Sequence, residues 1–304
     1  MTVLVTGGAG FIGSHLVDKL IENGKEVTIF DNLSTGRKGY VNEKAQFIEG
    51  DMLNTKEVDE ACKGVSEVWH LAANYNVRIS DPQVHFKQNT VATLNLLESM
   101  RKNNIHTIYF TSTSVVYGEA MQMPTSENYG PLIPISVYGG AKLAAESLIM
   151  AHCHTFDMHA ILFRLANIIG GRSDHGVVPD FIKKLKQNQN EIEILGDGRQ
   201  CKSYLHVSDC VNAMFHASAQ QKELVESYNV GSNDKVAVNE IVDIVTKEMQ
   251  LSPRKTYTGG RQGWKGDVPL MLLSIEKLKS IGWTPTMNSQ DAVKKTVQEI
   301  LGKV

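Results

Sequence analysis

The sequence predicts an α/β protein, a doubly wound parallel sheet followed by a smaller C-terminal lobe, on three observations. Short apolar runs alternate with helical patterns through the first 165 residues, as βαβ repetition requires. The first run, Val3 to Val5, leads through a glycine-rich turn straight into a helix-like segment, Phe11 to Ile21. The second, Glu26 to Phe30, ends on a carboxylate, Asp31.

The elements follow in order. A strand near 2–6 precedes Gly7, Gly10 and Gly13, whose GxxGxxG spacing departs from the commoner GxGxxG. Those glycines suit a tight turn, a close approach of backbone to a pyrophosphate, and close packing of the helix near 11–23 on the sheet. The next strand spans 26–31, and an acid at its end binds adenosine ribose hydroxyls and repels a 2′-phosphate, so Asp31 favours NAD. Arg37 and Lys38 follow closely and leave NADP open. Further strands fall near 46–49, 67–71, 106–111 and 159–164, with helices near 55–62, 85–103 and 138–156. This pattern is Rossmann-like. After Arg164 the segments loosen, with Gly/Asp/Asn turns and helices near 178–188, 207–219, 237–250 and 289–301. The expected division is a dinucleotide-binding domain over 1–165, with a return near 203–220, and a substrate lobe over 166–304.

Composition narrows the function classes. A chain of 304 residues with 42% hydrophobic residues buries a large core. A net charge of −2 marks no nucleic-acid surface, and no apolar run reaches the eighteen or more residues of a membrane span. A strand starting at once leaves no room for a signal peptide, so a cytoplasmic location is expected. Cys62, Cys153, Cys201 and Cys210 lack CxxC spacing, and buried or incidental thiols are expected rather than a metal or disulfides.

The segment Tyr138-Gly139-Gly140-Ala141-Lys142 carries the chemistry. Side chains four apart share a helix face, so Lys142 can stand beside the phenol. Moving a phenol from about 10 to about 7 takes roughly 4 kcal/mol, more than one lysine readily supplies, which suggests a cationic cofactor nearby. The run Thr111-Ser112-Thr113-Ser114 follows the strand near 106–111, at the carboxyl end where such sheets bind ligands. Alone it reads equally as turn chemistry. His70 and His206 read as hydrogen-bonded core residues.

With these motifs in place, the chain resembles the extended short-chain dehydrogenase/reductases, and within them the nucleotide-sugar epimerases and dehydratases. The markers are VTGGAGFIGSHLVDKL, FDNLSTG, GDMLN, WHLAAN, FTSTSVVYG, YGGAK, FRLANIIG, ILGDGRQCKSYLHVSDCVNA and GWKGDVPLMLLSIEKLKSIGWTP, in family order over nearly the whole chain. The resemblance implies Thr113, Tyr138 and Lys142 as catalytic residues. It implies a tightly bound NAD held by Gly7, Gly10, Phe11, Ile12 and Gly13 at the pyrophosphate, and by Asp31 and Asn32 at the adenosine ribose. Asp51 and Met52 are assigned to the adenine edge, Leu71, Ala72 and Ala73 to the cofactor channel, and Asn89 to a polar anchor or an exposed helix-entry position.

On the substrate side the resemblance implies Thr113, Asn167, Val177, Lys202, Tyr204, Arg261 and Asp267. Lys202 stands where relatives commonly carry a bidentate arginine, and lysine is only a point charge. The arginine usual before Gly-Asp is displaced to Arg261, which reads alternatively as a surface ion pair.

Reaction type follows from Ser114 and Val115, which replace the Asp-Glu pair of the 4,6-dehydratases; Val115 also replaces the glutamate of the decarboxylases. Without those acids, the expected activity is epimerisation of a UDP-sugar through a transient 4-keto intermediate. A keto-sugar reductase, dehydratase or decarboxylase, or a silent NAD-binding protein, are the alternatives. A homodimer through the helices near 85–103 and 138–156 is expected by analogy, and Val91, Leu94, Leu97, Leu143 and Leu148 serve that or the core.

Overall fold

A computed structural model describes residues 2–77, 79 and 81–303. The strands of its main sheet are β1 (Thr2–Thr6), β2 (Glu26–Asp31), β3 (Gln46–Glu49), β4 (Val65–His70), β5 (Thr107–Thr113), β6 (His159–Leu165) and β7 (Val225–Val230), in the order β7-β6-β5-β4-β1-β2-β3. The pairs β1/β2, β2/β3, β1/β4 and β4/β5 are parallel. Val3, Val5, Val68, Ile108, Phe110 and Ile161 are fully buried, the signature of strands covered on both faces. Because β1 lies between β2 and β4, the winding reverses there, and the loops after β1 and β4 meet at the switch point.

Helices α1 (Phe11–Glu22), α2 (Thr55–Ala61), α3 (Pro82–His85), α4 (Ala92–Lys102) and α5 (Val137–Phe156) accompany this sheet. Between α3 and α4 the chain stays helical but widens into a π-turn over Phe86–Val91. Helix α5 opens with the Ser136 side chain accepting from the Gly139 N–H at 3.1 Å, and ends on Asp157 in the left-handed region. Behind the sheet, Trp69 packs on Tyr109 at 4.3 Å and stacks on Phe163 at 6.2 Å between ring centroids.

The chain divides into two compact units, 1–116 with 136–164 and 217–228, and 117–135 with 165–216 and 229–304. The return to the first unit is thus 217–228 and not the expected 203–220, because β7 adds to the sheet beside β6. Polar residues in VESYNV conceal that strand: Glu226 is buried and accepts from the Tyr228 hydroxyl at 2.5 Å.

The second unit has its own core, where Val178, Ile182, Leu185, Ile192, Val242, Val245 and Val293 pack together. Helices α6 (Val177–Gln187), α7 (Val207–Ser218), α8 (Val238–Met249), α9 (Glu276–Ser280) and α10 (Ser289–Ile300) complete the chain. Short parallel pairs join Asn167–Ile169 to Tyr204–His206 and Glu191–Ile194 to Arg254–Tyr257. Among the described residues, no helix is long and apolar enough to cross a membrane, and no three His, Cys, Asp or Glu gather as metal ligands. All four cysteines are free, and three are buried.

Candidate active site

The glycine turn has a geometric requirement at each end. A Cβ on Gly7, at φ +72°, would stand 2.6 Å from the Ala72 backbone nitrogen. One on Gly13 would stand 2.1 Å from the Gly7 carbonyl oxygen. Gly7 therefore lets the turn touch the loop after β4, and Gly13 lets α1 touch the turn. Gly10, the residue before α1, carries no capping side chain, and no acid occupies the first helical turn. The N–H groups of Phe11 and Ile12 belong to the first turn, where a helix has no internal acceptors. This donor set fits a pyrophosphate.

Asp31 ends β2 with a buried carboxylate that accepts from the Ala9 N–H at 3.0 Å and the Leu33 N–H at 2.8 Å. Burial raises its pKa, against the lowering effect of those two bonds. The acid thereby ties the glycine turn to the end of β2. Asn32 beside it is exposed and accepts from the Ser34 N–H. Lys38 lies over the Phe47 ring, 3.4 Å from its centroid, and Arg37 over Tyr40 at 5.6 Å.

Asp51 accepts from the Leu53 N–H, and the buried Met52 offers its carbonyl to Asn95. Leu71, Ala72 and Ala73 are half-buried, with the Ala72 N–H donating to the Thr6 hydroxyl. Asn89 is 2% exposed, which removes the exposed helix-entry reading. Its Oδ1 accepts from the Asn74 N–H at 2.7 Å while its Nδ2 donates to the Asn74 carbonyl at 3.0 Å.

The structure sets Thr113 against Tyr138 and places Lys142 one turn further along the same helix. Thr113 closes β5, and its hydroxyl lowers the pKa of the Tyr138 phenol on the first turn of α5. Tyr138 is half-buried as a residue, yet desolvation raises its phenol to about 12, with Thr113 acting the other way. Lys142 is 2% exposed, its Nζ 3.9 Å from the Phe110 ring centroid. Desolvation lowers it to about 7, opposed by the charge of Glu146 one turn on. Glu146 is fully buried and takes a two-pronged grip from Arg164 at 3.1 and 2.8 Å. His70 is a core residue, bonded to Thr6 at 2.7 Å and to Thr93 at 3.0 Å. Burial lowers it to about 3, with Lys142 adding to the effect.

Sequence reasoning missed Glu146 and His85. Glu146 had a legible signal, the same i,i+4 spacing from Lys142 that links Lys142 to Tyr138. His85 had none, since its ring meets Tyr138 across two helices at 5.8 Å and 61°.

In the second unit, Lys202 pairs with the buried Asp267 at 2.5 Å, and its Nζ lies 5.1 Å from the Trp264 ring centroid. Asp267 also accepts from the Gly263 N–H, so the 263–267 turn folds around that carboxylate. Asn167 donates its amide to the Ser203 carbonyl, and Val177 is half-buried at the start of α6. Tyr204 packs in the unit's core, its phenol pushed up by burial and then by Asp267. Arg261 is 71% exposed and pairs with Glu119 at 2.8 Å, the surface ion pair that was its alternative reading. His206 is buried between Ser208 and Glu299.

The fold is that of a dinucleotide-binding enzyme. The chain belongs to the NAD dependent epimerase/dehydratase family, whose model matches residues 3–231. It is 38% identical to a putative UDP-glucose 4-epimerase of Methanocaldococcus jannaschii, across 97% of each chain. A crystal structure of a UDP-galactose 4-epimerase superposes with a TM-score of 0.91 at 43% identity, covering 100% of this chain and 99% of the other. The UDP-glucose 4-epimerase of Thermus thermophilus, solved in complex with NAD, superposes at 0.90 with 32% identity over 100% of both chains.

Proposed function

We propose that this chain inverts carbon 4 of a UDP-sugar, using NAD that is regenerated in each turnover. The observation carrying the proposal is that Thr113, at the end of β5, acts on the Tyr138 phenol, with buried Lys142 one turn further along α5 and Ser114 and Val115 following Thr113. Elimination of water and decarboxylation need further acids or bases beside the sugar, and neither residue is one.

Bound NAD supplies reversible two-electron oxidation at the sugar carbon. The turn at Gly7 and Gly10, the N–H groups of Phe11 and Ile12, and Asp31 are the groups that hold it. Tyr138 takes the proton of the sugar 4-hydroxyl and returns it once the opposite face of the ketone is presented. Thr113 shares that hydroxyl and keeps it in line with the phenol. Lys142, when charged, stabilises the phenolate. Holding the reacting groups in place contributes several kcal/mol in favourable cases. Lys202, with Asn167, is assigned to the diphosphate, and Asp267 fixes the lysine's position. Phe86, Leu94 and Phe156, exposed on the π-turn, α4 and α5, are assigned to a homodimer contact.

Incubation with NAD and a panel of UDP-hexoses, resolved by NMR, tests the proposal. Interconversion of a 4-epimer pair with no net change in nicotinamide absorbance is expected. Net NADH formation would instead mark a keto-sugar reductase running in reverse, and a Tyr138→Phe variant with unchanged turnover would exclude the assigned base.

A further inference from the structure

The π-turn and the end of α3 before it grip α5 at two places. Thr90 donates its hydroxyl to the Ala141 carbonyl at 3.0 Å, one residue before Lys142. His85, the last residue of α3, is 1% exposed and sets its ring against Tyr138 at 5.8 Å. Wide turns of this kind occur often at functional sites.

The hydrogen bonds around His85 fix its proton. Oxygen and nitrogen of an asparagine amide are assigned from their partners. Asn89 faces a backbone N–H and a backbone carbonyl of the same residue, Asn74, so only one orientation satisfies both. In that orientation Nδ2 is a donor, and it lies 3.3 Å from His85 Nδ1. Nδ1 must therefore accept. Neutral His85 then carries its hydrogen on Nε2: the other tautomer would place N–H against N–H, and a flipped ring would place Cδ2–H there and lose the acceptor.

We propose that His85 is a positioning residue for Tyr138, its ring locked by Asn89 as the Nε2–H tautomer so that its face and edge hold the phenol in line with Thr113. The inference rests on Tyr138 being the acid and base of the reaction proposed above. A displacement of about 1 Å at a reacting group costs on the order of a hundredfold in rate. His85 gives the phenol a wall that does not rotate.

Two measurements on the full chain test this. The first needs no substrate: long-range ¹H–¹⁵N correlation of the histidine rings at about pH 8, assigned with a His85→Phe variant. An unprotonated Nδ1 and protonated Nε2 are expected, and the reverse tautomer overturns the proposal. The second is steady-state kinetics of His85→Ala and His85→Phe with NAD saturating. His85→Ala should lower kcat about tenfold or more with KM changed less than twofold, while His85→Phe, which restores a ring beside Tyr138, recovers most of it. Unchanged kcat in His85→Ala, or equal losses in both variants, overturns the proposal. If His85→Ala does not fold, His85→Leu takes its place with the same outcomes. A wild-type protein that turns over no UDP-sugar refutes the proposed function alone, and the tautomer measurement still decides the state of His85.

Discussion

Addition of the oxidised cofactor should invert the charge state of the Tyr138 and Lys142 pair. In the free protein burial holds the phenol up at about 12 and the ammonium down at about 7. At about pH 8 the phenol is then ionised in about one molecule in 10⁴, and Lys142 is charged in about one in ten. Base catalysis needs a phenolate beside an ammonium. That state holds the same number of protons as the resting pair and differs only in where one of them sits. The gap from about 7 to about 12 corresponds to about 7 kcal/mol before the two new charges attract each other. A cationic nicotinamide ring favours the phenolate, whereas the reduced, neutral ring does not. The assay is a pH titration of near-ultraviolet phenolate absorbance, wild type minus Tyr138→Phe, for protein stripped of cofactor, with NAD and with NADH. No phenolate signal from Tyr138 is expected below about pH 10 in the stripped protein, and NAD should bring the midpoint toward neutrality. A stripped-protein midpoint near 7, or a midpoint that NAD leaves in place, refutes the reasoning. Because the two groups titrate together, the measured midpoints belong to the pair.

Three further outcomes follow from the packing. Gly13→Ala puts a methyl 2.1 Å from the Gly7 carbonyl, so α1 must retreat by about 1 Å; a loss of about 1–3 kcal/mol in urea unfolding and weaker NAD binding are expected. Gly140→Ala, with nothing within 4 Å, should instead stabilise α5 by about 0.5–1 kcal/mol. Glu146→Ala takes the carboxylate away from the buried Arg164 guanidinium and should cost about 3–5 kcal/mol of stability by the same measurement; a loss under 1 kcal/mol would mean the pair is not buried as described. His70 gives the fold an acid limit. Its pKa is depressed, so the unfolded chain binds the extra proton first: the contribution is whole above about 6.5 and lost as pH falls toward about 3, up to about 5 kcal/mol. Urea midpoints against pH should fall less steeply in His70→Gln than in wild type over that window.

Local patterns made much of this legible in the chain. The run from Val3 through the glycines to Ile21 announces a strand, turn and helix, and Asp31, Tyr138 and Lys142 lie within or one turn from such patterns. Strands β2 and β3 were readable to the residue, because fully apolar or alternating runs leave few other choices. What was hidden depends on long separation or on small backbone changes. Lys202 and Asp267 lie 65 residues apart, and Arg261 and Glu119 lie 142 apart, with nothing in either segment to name the other. The π-turn inserts one residue into a helical phase and leaves no mark on the apolar periodicity, yet it decides where His85 and Asn89 point. Strand β7 was concealed because its buried polar residues satisfy one another.

Asp31 combines two duties that a protein engineer would prefer to find apart. The carboxylate to which we assign discrimination against a 2′-phosphate is also the acceptor for the Ala9 and Leu33 N–H groups, and so braces the turn assigned to the pyrophosphate. An asparagine there would present an amide donor to one of two backbone donors, and a serine would reach only one. Relaxing the preference for NAD by changing this residue alone therefore loosens the binding of either cofactor. A switch to NADP in this scaffold requires a second change that rebuilds the brace, and single-substitution libraries at position 31 will return weakened enzymes before they return altered ones.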